Sequence, residues 1–168
     1  GFEQLGIVRP GPVAYLGTAL VGPPQALGDD ERQAMSRDPE VELAAMRWAL
    51  DEERKAGWNP EDVSAAQDGS GFDIRSTRRS DDGRTEVRRI EVKGRGPAHG
   101  DVSLCNTEWI AAHRHGDGYW LYVLYGATSA QPRGIKVRNP AKVFAGDARK
   151  VSTVTAYRIP GAAIEAAA

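Results

Sequence analysis

Cysteine is almost absent: Cys105 is the single one in 168 residues. One thiol cannot close an internal disulfide or build a Cys-rich zinc site, and its scarcity fits a reducing interior compartment. Set between Leu104 and Asn106, just ahead of an expected helix, it suits a small packing residue better than a nucleophile. Long hydrophobic runs are missing too, and nothing approaches the ~20 apolar residues that a membrane helix requires. The first residues, GFEQLGIVRP, have neither the basic start nor the apolar core of a secretion signal, so a cytoplasmic setting with no membrane partner is expected. An initiator Met is lacking, which suggests a piece of a longer polypeptide. No charge dominates: the net charge is −1, whereas a free-standing DNA binder usually shows a basic balance. The positive bias is local, with eight Arg or Lys residues between Arg75 and Arg95 against four acids (Asp81, Asp82, Glu86, Glu91). Such a run is more often a solvated face than a phosphate track, so charge alone assigns no partner.

What is present is an ordinary globular composition, 40% hydrophobic and 27% charged, long enough for one domain with attachments. Residues 1–38 are rich in Gly and Pro and read as a strand-like piece, Val13 to Val21, followed by a polar linker. Asp38-Pro39 is a good helix start, and Val41, Ala44, Ala45, Trp48 and Ala49 then recur at helical spacing, with Leu43 and Leu50 widening the stripe until Gly57 stops it. Strands are expected over Glu61–Gln67, Phe72–Thr77 and Thr85–Val92, the last two joined by the hairpin signal Asp81-Asp82-Gly83. A glycine-marked loop leads to a short strand at Val102–Leu104, and Asn106 or Thr107 could cap a helix running through His115. Tyr119 to Tyr125 (YWLYVLY) reads as a buried strand, Gly134 to Val137 as an edge strand, and Val151 to Ile159 as one more strand-like piece. The domain is placed at 39–143, with 144–168 as a C-terminal extension.

The chemistry concentrates in Asp73 followed, eighteen residues later, by Glu91-Val92-Lys93. Hairpin-joined strands are antiparallel neighbours, and a reasonable register brings Asp73 beside Glu91. Residues two apart on a strand share a face, so Glu91 and Lys93 point the same way while Val92 points into the core and offers its backbone carbonyl. Two carboxylates side by side disfavour joint ionisation, and a hard divalent cation such as Mg²⁺ or Mn²⁺ removes that cost. A cation there can polarise a phosphate and acidify water, with Lys93 stabilising developing charge. The bland alternative is a turn-side acid plus a same-face surface pair, and the string D…ExK alone is weak. The first helix adds a further carboxylate. Glu42 and Glu53 share a helix face but lie about 16 Å apart along the axis, so one at most reaches a single site.

At these residues the chain resembles a known family. The ordered motifs VELAAMRWALDEERKAGW, GFDI, IEVKGR, TEW and YWLYVLY, with Asn139-Pro140 after them, are similar to the NO VEIN C-terminal domain, over roughly residues 39 to 143. The chain looks like the version at the C-terminus of large bacterial Swi/Snf-type helicases, and residues 1–38 would then be the tail of that upstream region. The resemblance implies an α/β fold with a PD-(D/E)XK (restriction-endonuclease-like) core, ordered helix-strand-strand-strand-helix-strand, its mixed central sheet flanked by helices. It implies a metal-dependent nuclease acting on DNA in DNA processing or anti-phage defence, with Asp73, Glu91 and Lys93 at the matching motif positions. Superfamily spacing favours Glu42 over Glu53 as the helix residue. The expected metal ligands are Asp73, Glu91, Glu42 and the Val92 carbonyl. Fold analogy does not establish activity, so an inactive nucleic-acid-binding or protein-docking module with the same fold stands beside the enzyme.

Other residues carry weaker signals. Alternation puts Arg89 on the face of Glu91 and Lys93, so Arg89 and Arg95, with His99 in the glycine loop, are the candidate phosphate contacts. Glu108 and Trp109 open the second helix, where capping or core packing explains them equally well. His113 and His115, two apart on a helix, diverge, and Trp48, Trp58, Phe72, Trp120 and Tyr122 read as core.

Overall fold

The computed structural model describes residues 38–66, 69–150 and 156–168. The strand-like piece expected at Val13 to Val21 lies outside these residues. The first helix, α1 (Pro39–Lys55), begins where the sequence places it: the Asp38 carboxylate accepts from the Glu40 N–H at 3.0 Å, and Pro39 occupies the first turn, where a missing N–H costs nothing. Its buried stripe is Val41, Ala45 and Ala49, with Glu53 in line. Leu43, expected in that stripe, is instead 50% exposed.

Five strands form one mixed sheet in the order β1 (Asn59–Asp62), β2 (Ile74–Arg79), β3 (Thr85–Arg95), β5 (Tyr119–Tyr125), β6 (Arg133–Arg138). Among the described residues only the β3–β5 pairing of this sheet is parallel. That crossover carries β4 (Val102–Cys105) and α2 (Asn106–His115), while hairpin-type antiparallel contacts join the rest. The molecule is therefore a mixed α/β fold with a central sheet flanked by helices. The first strand sits earlier than the expected Glu61–Gln67: it is an edge strand tolerant of Pro60, and a short 3₁₀ turn, Ser64–Ala66, follows it. The second starts at Ile74, one residue past Asp73, and extends to Arg79.

α1 packs on the sheet face that carries Ile74, Ile90, Val92 and Tyr122. Its first turns press so closely on β3 that a Cβ on Gly94 would stand 2.7 Å from the Val41 carbonyl oxygen. The opposite face packs Trp109 of α2 with Leu121, Val123, Ile135 and Val137. Central β5 is buried along nearly its whole length, and its three tyrosines each find a hydrogen-bond acceptor: Tyr119 the Gly71 carbonyl at 2.7 Å, Tyr122 the Glu53 carboxylate, Tyr125 the Gly100 carbonyl at 2.8 Å.

The C-terminal stretch 144–168 supplies core residues. After the short helix α3 (Pro140–Val143), Phe144 joins the α2-side cluster together with Ile159 and Ile164. A second, three-stranded sheet runs β4, β8 (Ala156–Ile159), β7 (Arg149–Lys150), and α4 (Gly161–Ala166) closes the chain. The expected strand over Val151 to Ile159 is thus seen in its second half, and residues 151–155 lie outside the described set. Among the described residues no helix is long and apolar enough to cross a membrane.

Candidate active site

The site exists because β3 outruns β2. The β2–β3 ladder ends at Ile74–Ile90, so among the described residues the β2-side edge of β3 beyond Ile90 has no strand partner. Asp73 caps that edge: its N–H donates to the Ile90 carbonyl at 2.9 Å, and its Oδ2 accepts from the Val92 N–H at 2.9 Å. The N–H and C=O of one strand residue point to the same side, so the Val92 carbonyl is directed toward this open edge as well. Just before Asp73, Gly71 holds φ +74°, and a Cβ there would meet the Thr107 carbonyl oxygen at 2.7 Å, so the turn lies directly against α2.

Alternation along β3 sends Glu91 and Lys93 to the α2 face. The Lys93 ammonium lies 2.6 Å from Glu91 Oε1 and 3.0 Å from Glu108 Oε2. Glu108 stands in the first turn of α2, and its Oε2 also accepts from the Cys105 N–H at 2.8 Å. The helix is therefore capped at Cys105, with help from Glu108, and not at Asn106 or Thr107. α1 reaches the same space from the other side, around the open edge. A cleft of about 530 Å³ brings together Glu42, Asp73, Glu91, Val92, Lys93 and Glu108, with Leu43 and Met46 forming an apolar wall. A side groove of about 160 Å³, with Ser70 and Thr107 along it, opens from Asp73, Glu91 and Glu108 toward the start of α2.

The electrostatics follow from burial. Glu91 is almost completely buried, and desolvation holds its carboxyl well above the usual range; Lys93 opposes this while Glu108 and Asp73 add to it. Burial likewise raises Asp73, against the Val92 N–H and the Lys93 charge. Burial alone would lower Lys93, but the Glu91 and Glu108 carboxylates outweigh it and keep the amine firmly protonated. Burial pushes Glu108 up, yet the Lys93 charge and hydrogen bond bring it below its ordinary value.

The donor chemistry suits a hard divalent cation. Burial raises the proton affinity of two neighbouring carboxyls, a cost that a divalent cation would offset, and a backbone carbonyl shares their edge. Among the described residues, however, no three His, Cys, Asp or Glu side chains are gathered closely enough to form a ligand set. The Lys93 ammonium lies between Glu91 and Glu108.

Glu42 and Glu53 are separated decisively. Glu42 lines the cleft. Glu53, three helical turns away, is fully buried on the α1 face, where it pairs with Arg88 at 3.0 Å and accepts from Tyr122. Arg88 is itself stacked between Trp58 and Trp120, at 3.9 and 4.6 Å from their ring centres. The three candidate phosphate contacts do not line the cleft. Arg89 lies near His115 and helps hold its imidazole below the usual value, after burial; Arg95 acts on Tyr125, and His99 on Glu165. His113 packs edge-on against Trp109 and His115 against Phe72, so the two diverge as their spacing requires. Glu108 is the site residue that spacing alone left undecided: its signal was a carboxylate in the first turn of a helix following a strand that carries an unneutralised lysine.

A family model described as "Protein NO VEIN, C-terminal" matches residues 41–137. No curated protein and no solved structure matches the chain.

Proposed function

The chain belongs to the NO VEIN C-terminal family, and from that premise we propose that its acidic cleft is the active site of a Mg²⁺- or Mn²⁺-dependent nuclease of the PD-(D/E)XK type, hydrolysing phosphodiester bonds in DNA. The observation that carries this reading is the Asp73–Glu91 pair: two carboxyls of raised proton affinity lining one cleft, with the Lys93 ammonium 2.6 Å from Glu91 Oε1. In this role Asp73, Glu91 and the Val92 carbonyl hold the cation, and Glu42 approaches from α1. When bound, the cation polarises the phosphate and acidifies an attacking water. Lys93, its ammonium favoured by the Glu91 and Glu108 carboxylates, would donate to the developing negative charge on phosphorus-bound oxygen. Burial of Glu91 strengthens each of these interactions by excluding water. The expected setting is cytoplasmic, as a module following a helicase region of the same polypeptide in DNA processing or phage defence.

Cleavage of plasmid and single-stranded DNA with Mg²⁺ or Mn²⁺ tests the assignment, with Asp73→Ala and Lys93→Ala as controls. Activity that survives both substitutions refutes it. One observation favours a second reading, an inactive nucleic-acid-binding or protein-docking module: no ligand cluster is assembled among the described residues, and Lys93 bridges two acids as a structural ion pair would. Salt-dependent DNA binding without cleavage, unchanged by both substitutions, supports that alternative.

A further inference from the structure

The ammonium of Lys93 has two carboxylate partners that come from different elements and differ in their freedom to move. Glu91 lies two residues away on the same strand and lines the same cleft as Asp73. Glu108 comes from the first turn of α2, and the same oxygen that touches Lys93 accepts the Cys105 N–H at 2.8 Å, so its carboxylate is tied to the backbone. A cation seated on Asp73 and Glu91 draws on the oxygens that Lys93 now uses and repels the ammonium as a like charge. Lysine carries its charge on a flexible four-carbon stem, so with Glu91 as sole partner it would leave the carboxyl pair when the cation arrives. Glu108 removes that outcome: it is anchored independently through the Cys105 N–H, it comes from a different element than Glu91, and it lines both the main cleft and the side groove.

We propose that Glu108 is a positioning residue for Lys93, retaining its ammonium beside the reacting phosphate when a divalent cation occupies Asp73 and Glu91. This rests on the nuclease reading of the cleft. Glu108 touches no substrate in this scheme and acts through Lys93.

Side-chain ¹⁵N–¹H NMR of lysine ammonium groups in the full chain, titrated with MgCl₂, tests it, with Lys93→Ala identifying the signal. In the wild type the Lys93 signal shifts with Mg²⁺ but stays protected from exchange. Glu108→Gln keeps an acceptor for the Cys105 N–H and so preserves the cap; its Lys93 signal is protected without Mg²⁺ and lost at saturation. The same variant lowers kcat for plasmid cleavage about tenfold, while KM moves less than about threefold. A wild-type spectrum that Mg²⁺ leaves unchanged overturns the nuclease reading and this role with it. Mg²⁺ binding with Lys93 equally protected in wild type and Glu108→Gln overturns the positioning role alone. So does a variant whose Cys105 amide signal has shifted out of the capped position, since the residue would then be a cap and nothing more.

Discussion

Asp73 Oδ2 accepts the Val92 N–H at 2.9 Å, so a side chain does at the end of β2 what the next rung of the ladder would otherwise do. The bond ties the acid to the strand segment between Glu91 and Lys93 and fixes which way both of them point. It also separates two roles of one carboxylate by mutation. Asp73→Asn retains an acceptor for Val92 and is expected to fold with a stability close to wild type while losing divalent-cation binding. Asp73→Ala leaves a buried N–H unpaired and costs about 1–3 kcal/mol in addition. Urea unfolding and Mn²⁺ titration of the two variants check this, and equal stability losses in both would contradict it.

The carboxyl pair makes stability depend on pH in a defined direction. The folded-state value of Glu91 is raised above its unfolded one, and Asp73 shifts the same way. Their contribution is fully present below the unfolded values, 4.5 for Glu91 and 3.8 for Asp73, and is lost as pH rises through the raised folded values. In cation-free buffer the contribution of these two groups therefore makes the wild-type Tm fall as pH climbs out of the ordinary carboxylate range. Glu91→Gln flattens that slope. Mg²⁺ at a hundred times its Kd restores about 2.7 kcal/mol at the upper end. Parallel Tm profiles for wild type and Glu91→Gln would count against the assignment.

The two helix glutamates should separate in opposite directions. Removing Glu53 leaves Arg88 and the Tyr122 hydroxyl without their buried acceptor, so Glu53→Ala is expected to cost about 3–5 kcal/mol. Glu42→Ala, at an exposed position on the cleft wall, is expected to change stability by no more than about 0.5 kcal/mol while weakening cation binding. Thermal melts paired with Mn²⁺ titration decide; a cation affinity untouched by Glu42→Ala would remove it from the site.

Gly94 is expected to be intolerant for reasons of packing. Its missing Cβ makes room for the Val41 carbonyl at the start of α1, one residue before Glu42. Gly94→Ala forces that turn outward at about 1–3 kcal/mol and carries Glu42 away from the carboxyl pair. Loss of both stability and cation affinity is the expected result, whereas a fully stable variant would show that α1 can adjust.

The sequence by itself determined the order of elements from the helix through the YWLYVLY strand, because apolar period, caps and turns are local signals. It also pointed to antiparallel neighbours that bring Asp73 near Glu91 and to the shared face of Glu91 and Lys93, since a hairpin and a two-residue strand repeat imply them. Only the tertiary structure decided which helix glutamate belongs to the cleft: Glu42 and Glu53 occupy the same helical face, and the choice depends on where α1 crosses β3. Likewise Glu108 met Lys93 through packing of α2 on the sheet face that carries Lys93, a contact between residues fifteen apart that the first-turn carboxylate alone did not specify. Arg89, Arg95 and His99 are not among the residues that line the cleft. Alternation names the face of a strand, but the neighbours packed on that face decide what each side chain meets.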